Sequence, residues 1–300
     1  MQSEEGSAGE IALTAPEWFI RLLPTLRYHY RSMVGVFRRG ADGKFAVFGS
    51  GILVEYRGTA FVATCAHNLD EEDPETLCLW LDSDQTTREV LEGDSLRDVC
   101  DPKVDVRFWR DDSAGIDMGL IRIRNRGPFL AENMRFYKID ETGWPEQDWR
   151  PGEVTAVIGF PGCWVKTTEA TVTPSGILLP GVASIQQITL LPILCFESGK
   201  MANVWFEVPA DRYMLSEQDD KPNMDYRGFS GGPVFKLRRA GLHGDPSGFV
   251  LMGLVFAQTK SRDPLKGANL KCNYIDRWCQ WVDQMEGEQL PLSQKRRLRD

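Results

Sequence analysis

The chain has 300 residues, 42% hydrophobic and 26% charged, with a formal net charge of −8 and an isoelectric point near 5.1. That length suits one large or two small domains with a sizeable core, and the acidic balance argues against general nucleic-acid binding. No run approaches the roughly 18 apolar residues of a membrane span. The start, Met-Gln-Ser-Glu-Glu, lacks the positive and apolar regions of a secretory signal. Seven cysteines, at 65, 78, 100, 163, 195, 272 and 279, form no Cys-x-x-Cys pair, which speaks against zinc. Scattered thiols without a signal point to the cytoplasm.

In residues 1–32, Thr14 and Glu17 have the spacing of a capping box, and Trp18, Phe19, Leu22 and Leu23 give the helix after it an apolar face, limited by Pro24. This leader helix is expected to pack on the domain behind it. From Met33 the pattern turns to strands: Met33–Arg38, Phe45–Tyr56, Thr59–Ala66, Leu77–Leu81, Val104–Trp109, Met118–Arg124 and Met134–Ile139. Gly40 to Gly43 and Arg57-Gly58 are hairpin signals between them. Residues 141–152, with Gly143, Pro145, Pro151 and Gly152, read as a linker, to which Trp144 and Trp149 give an anchor.

A second run of strands follows at Val154–Gly159, Thr167–Val172, Ser184–Leu191, Asn203–Val208, Val234–Leu237, Phe249–Ala257 and Ala268–Cys272. The chain therefore divides into two β-rich halves, 33–140 and 153–273, and the strand spacing suggests barrels or sandwiches. Residues 274–300 read as a helix with Ile275, Trp278, Val282 and Met285 on one face and Asn273 as its N-cap, followed by a basic tail.

Chemistry is expected at Gly228-Phe229-Ser230-Gly231-Gly232-Pro233. A serine hydroxyl is a weak nucleophile without a base to take its proton and donors to receive the oxyanion. Glycines let the backbone approach a substrate closely, so the N–H groups of Gly228 and Ser230 can converge on one point. Only three histidines compete for the role of base. His29 lies in the leader and His243 in a hairpin tip, whereas His67 closes a strand and opens a loop. Asp117, ahead of Met118-Gly119-Leu120-Ile121, is the candidate to orient His67, because an acid against apolar strand residues needs a partner. Asp105 is its rival, although Val104-Asp105-Val106-Arg107 reads as strand alternation.

These residues resemble the trypsin/chymotrypsin-like serine proteases. The order His67, Asp117, Ser230 is that of the family's triad. Gly49-Ser50-Gly51 before Thr64-Cys65-Ala66-His67 resembles the family's Gly-Ser-Gly strand and its Thr-Ala-Ala-His. Asp117 to Ile121 resembles its Asp-Ile-Ala-Leu-Leu, and Val157 to Gly162 looks like the opening strand of its second barrel. Gly253-Leu254-Val255 matches the strand after its nucleophile. The likeness covers roughly residues 33–286 and implies an all-β fold of two six-stranded antiparallel β-barrels. Phe229 stands where the digestive enzymes carry an Asp, and no Ile-Val-Gly-Gly start exists to pair with one. The pattern is closer to the bacterial and HtrA-like branch, without room for a PDZ domain. Phe256 replaces a serine that supports the catalytic Asp in many relatives, so the support of Asp117 is left open.

The resemblance implies a serine endopeptidase acting on protein or peptide substrates, with no metal or cofactor, and no membrane or nucleic-acid partner. It places Met224, Phe256, Ala257 and Gln258 around the side chain before the cut. None is charged, so an apolar preference is expected. The alternatives are a catalytically inactive protease fold used as a binding module, or a protease restricted to itself or to one partner. The polar stretch 216–223 is open to two readings: a surface insertion, or a loop that an activating protein partner orders. Cys65, two residues before His67, is expected as a small core residue.

Overall fold

The computed structural model describes residues 28–40, 45–70, 74–82, 88–139, 155–160, 166–167, 171–172, 178–179, 182–184, 188–190, 203–208, 228–237, 248–260 and 268–289. The capping box at Thr14, the linker 141–152, the stretch 209–227 with Met224, His243 and the basic tail lie outside the described residues.

Strands β1 (Met33–Arg39), β2 (Phe45–Tyr56), β3 (Thr59–Thr64), β4 (Leu77–Asp82), β5 (Arg88–Leu91), β6 (Val106–Asp111) and β7 (Ile116–Ile123) form one antiparallel sheet in the order β5-β4-β1-β2-β3-β7-β6. A short β8 (Tyr137–Lys138) adds parallel to β2. Arg57 and Gly58 both take positive φ, 47° and 78°, which gives the tight turn whose twist suits a two-residue hairpin between β2 and β3. Alternation decides the two faces. Ile52, Val54 and Tyr56 of β2 enter one apolar cluster, and Leu53 enters the other.

The second half begins with β9 (Thr155–Gly159). Two short pairs follow, β10 (Lys166–Thr167) with β13 (Val182–Ser184), and β11 (Thr171–Val172) with β12 (Leu178–Leu179). Strands β14 (Ile188–Leu190), β15 (Asn203–Val208), β16 (Pro233–Leu237), β17 (Phe249–Lys260) and β18 (Ala268–Tyr274) join β9 in a six-stranded antiparallel sheet, in the order β14-β9-β16-β17-β18-β15. The protein is mostly β, and among the described residues neither sheet closes into a barrel.

The two halves share one apolar cluster. Phe37, Phe61 and Met118 from the first sheet meet Ile158, Phe235 and Leu254 from the second. The helix Ile275–Gln289 lays Ile275, Trp278, Cys279 and Val282 on the same cluster, as its periodicity predicts. Trp278 is fully buried, edge-on to Phe61 at 5.6 Å, and donates its indole N–H to the Gly119 carbonyl at 3.1 Å. A side chain of that size stabilises by about 1.5–3 kcal/mol on burial, and here it also fixes β7 beside the β3 end. His29 is buried as well, its ring 4.9 Å from that of Phe235 and 4.7 Å from that of Phe249.

Several expectations are corrected. The strand expected at Val104–Trp109 starts only at Val106. Residues Pro102–Asp105 form a helical turn, because Asp101 accepts the Lys103 N–H at its start and Pro102 suits a first helical position. The strand expected at Met134–Ile139 shrinks to Tyr137–Lys138, since the Met134 N–H is taken by Phe129 and that of Arg135 by Arg31. The expected strand Thr167–Val172 divides between two different partners, β13 and β12. Asn273 lies on β18, with the helix beginning at Ile275, and its side chain reaches into the site.

Candidate active site

His67 stands where β3 ends. The strand stops at Thr64, two residues sooner than the pattern suggested, and Ala66–Asn68 turn into a single 3-10 turn. Strand β7 runs antiparallel to β3, with Thr64 opposite Gly119, which brings Asp117 to the same end of the sheet. The Asp117 carboxylate then takes two bonds from His67: its Oδ2 lies 2.6 Å from Nδ1 and its Oδ1 accepts the backbone N–H at 3.1 Å. A carboxylate only accepts, so Nδ1 carries the proton and Nε2 is left as the acceptor facing away from it. His67 keeps 31% of its side-chain surface exposed and Asp117 11%, an arrangement in which the acid is withdrawn and the base is reachable.

The support of Asp117, left open by Phe256, comes from Asn273. Its Oδ1 accepts the Asp117 N–H at 3.0 Å and its Nδ2 donates to the Gly115 carbonyl at 2.9 Å, tying β7 to β18. The rival acid is elsewhere: Asp105 accepts from Arg124 at 2.8 Å and from the Asp101 N–H at 2.7 Å.

Ser230 sits in a turn closed by the Gly232 N–H donating to the Phe229 carbonyl at 2.7 Å. In a trans peptide the N–H points opposite the carbonyl, so this bond turns the Ser230 N–H outward. Gly231 takes φ +86°, and a Cβ there would stand 1.9 Å from the Ser50 carbonyl, so only glycine fits. The Gly231 N–H donates to the Val255 carbonyl at 2.6 Å, and the Cys65 thiol donates to the same oxygen at 2.9 Å. The Ser230 carbonyl receives the Ser50 N–H at 2.7 Å and Asn68 Nδ2 at 2.8 Å. Asn68, next to His67, thereby joins the histidine turn to the serine turn. Among the described residues no hydrogen bond joins the Ser230 hydroxyl to the His67 ring, and none engages the N–H of Gly228 or of Ser230. The two turns meet through Ser50, Asn68 and Val255.

Phe229, in the place of an acid in the digestive enzymes, is buried, its ring lying over Gly159 of β9. Phe256 is the extra residue of a bulge: Val255 pairs with Cys272 and Ala257 with Lys271. The Lys271 ammonium lies 5.1 Å from the Phe256 ring centre. Phe256 and Ala257 are half-buried on the strand beyond Val255, while Met224 and the Gln258 side chain lie outside the described residues. A cavity of about 480 Å³ is lined instead by Phe61, Leu120, Met285 and arginines 107, 122, 124 and 126, and its lining includes none of His67, Asp117 and Ser230.

Among the described residues, metal binding has one candidate set. Ligand atoms of Cys65, His67 and Asp117 lie within 4.8 Å of one another. Burial, then the Asp117 charge, pushes the Cys65 thiol well above its ordinary range, and the other two groups are bonded to each other. The set therefore suits an acid–base pair beside a neutral thiol better than an ion.

Sequence reasoning missed Ser50, Asn68 and Asn273. Ser50 lies inside the Gly-Ser-Gly motif, Asn68 follows His67 directly, and Asn273 carried a helix-cap pattern. Comparison with protein-family models and with curated proteins finds no match to the chain. No helix among the described residues is long and apolar enough to cross a membrane.

Proposed function

We propose that the protein is a serine endopeptidase of the two-barrel, chymotrypsin-like kind. One observation carries the reading: a buried-side acid holds a histidine by two bonds, and this pair is tied through Asn68 to the carbonyl of a serine in a glycine turn. The fold supports the barrel reading in part. One apolar cluster runs along the first sheet from Leu79, Leu81 and Leu91 through Val34, Leu53 and Val62 to Ile121 and Ile123, a continuous face that a curled sheet would enclose.

Ser230 Oγ attacks the peptide carbonyl carbon while His67 Nε2 takes its proton. Asp117 keeps the imidazole in that tautomer and offsets the positive charge it gains. The N–H groups of Gly228 and Ser230 receive the oxyanion, worth about 3–4 kcal/mol per donor. The tetrahedral intermediate collapses, the C–N bond breaks, and His67 returns the proton to the leaving amine. Water then repeats the sequence on the acyl-enzyme. The Ser230–His67 hydrogen bond of this step forms with substrate bound; such bonds are often long in free enzymes.

Phe256 and Ala257 with Lys271 beside them favour apolar side chains before the cut and disfavour basic ones. Five buried thiols among the described residues suit a reducing compartment, in keeping with the cytoplasm. The test is covalent labelling by a fluorophosphonate together with turnover of a peptide library. Labelling of the wild type and none of Ser230→Ala supports the reading. No labelling and no cleavage leaves a binding module, and cleavage mainly after Arg or Lys overturns the specificity.

A further inference from the structure

We infer that Ser50 is a positioning residue that keeps the oxyanion hole in its working shape, by clamping the Gly228 carbonyl. The inference rests on the peptidase reading and deepens it. Ser50 is fully buried and uses every polar atom it has. Its N–H donates to the Ser230 carbonyl at 2.7 Å, and its carbonyl accepts the Thr64 hydroxyl at 2.6 Å. Its Oγ accepts the Phe160 N–H at 2.8 Å and lies 2.6 Å from the Gly228 carbonyl. A hydroxyl has one proton, and the Phe160 N–H occupies an acceptor site, so that proton is committed to Gly228.

The clamp matters because of the Gly228 backbone. Gly228 takes φ +97°, a value that glycine holds without strain. The angles φ and ψ together relate the direction of a residue's N–H to that of its carbonyl. With the carbonyl pinned, one of the two ends of the Gly228 backbone is fixed, and its N–H turns only by changes of φ or ψ at Gly228 itself. The same residue pins Ser230 through its own N–H, so both oxyanion donors are referred to a single residue of β2. Fixed donors are what distinguish a working oxyanion hole from a loose one, since they need no reorganisation when charge develops. In Ser50→Ala the Gly228 carbonyl loses its donor and the peptide is free to turn, while His67 and Asp117 keep every contact they have.

The test uses the full chain with Ser50→Ala and Ser50→Cys. The cysteine variant keeps the side-chain shape with a weaker donor, and it serves should the alanine variant fail to fold. In Ser50→Ala, kcat is expected to fall about 10- to 100-fold, less than the loss of a whole donor, with KM within about twofold. Affinity for a peptide boronate should fall in parallel with kcat/KM, the acid limb of the pH profile should not move, and Ser50→Cys should lie between. A lower melting temperature with unchanged kcat and boronate affinity would leave Ser50 a purely structural residue and overturn the inference. If the wild type neither cleaves peptides nor takes a fluorophosphonate, the peptidase reading has failed. The clamp is then judged by the Gly228 amide resonance in labelled protein: a shift confined to the serine turn upholds it, and an unmoved resonance in Ser50→Ala refutes it.

Discussion

The two halves of the molecule contribute different kinds of part to one site. The first sheet supplies side chains: His67 from the end of β3 and Asp117 from the start of β7, fifty residues apart in sequence and joined by a 2.6 Å contact across neighbouring strands. The second sheet supplies, beside the Ser230 hydroxyl, backbone: the N–H groups of Gly228 and Ser230 in a turn whose shape is set by Gly231 and by bonds to Ser50, Asn68 and Val255. A part made of side chains is broken by changing its chemistry. A part made of backbone is broken by changing what holds it. The proton-transfer pair should therefore be sensitive to conservative substitutions at the residues themselves, and the serine turn to substitutions at residues that touch no substrate.

The largest effect breaks the comparison at its shared point. His67→Ala and Ser230→Ala should each lower kcat by about 10⁶, and the double variant should cost little more, because base and nucleophile act as a unit. Peptide turnover with circular-dichroism melting checks this; either variant retaining wild-type rates would end the peptidase reading. Asp117→Asn comes next, with a loss of about 10⁴, since an amide at that place stabilises the wrong tautomer of His67. Its rate should be restored in part at alkaline pH, and a loss under tenfold would remove Asp117 from the pair.

Asn273→Ala tests a residue that joins the halves without touching substrate. It removes the acceptor of the Asp117 N–H and the donor to Gly115. The expected loss in kcat is about 10- to 100-fold, the scale of a small displacement of catalytic groups, accompanied by about 1–3 kcal/mol of stability for the buried groups left unpaired. Turnover and chemical denaturation on the same preparation read both. Loss of stability with unchanged kcat would make Asn273 a brace between the sheets and nothing more.

Much of this was legible in the residues. Glycine turns, strand alternation and the scarcity of histidine single out Gly228 to Pro233, His67 and Asp117, because each signal is local: a turn needs particular residues and a base must titrate. The joints were not legible, because they arise from register. Ser50 reads as one letter of a Gly-Ser-Gly strand, and only the approach of the β3 end, of the residue after β9 and of the serine turn gives it four partners. Asn273 has the pattern of a helix cap, and its distance of 156 residues from Asp117 is closed by the packing of β18 near β7. The helical turn at Pro102–Asp105 shows the opposite error, where a local Asp-Pro start outweighed alternation.

The smallest expected effect concerns buried thiols of the first half. Burial pushes Cys78 and Cys100 from the ordinary 9.0 up to about 12, with Glu92 beside Cys78 and Asp105 beside Cys100 adding to it. A group whose folded-state value is raised holds its proton in the folded chain after the unfolded chain has lost it. The stability it contributes is full below pH 9 and is lost as pH rises toward about 12. Each thiol adds a slope of about 1.4 kcal/mol per pH unit inside that window and none below it. Urea denaturation followed from near-neutral to alkaline pH should show stability declining above about pH 9. Cys100→Ala should flatten that decline by one proton's worth, whatever it does to stability at neutral pH. The thiol is buried beside Leu96 and Val99 in a cluster remote from Ser230, so peptide turnover at neutral pH should stay within about twofold of wild type. An unchanged alkaline slope in Cys100→Ala would show that this thiol ionises alike in the folded and unfolded chain.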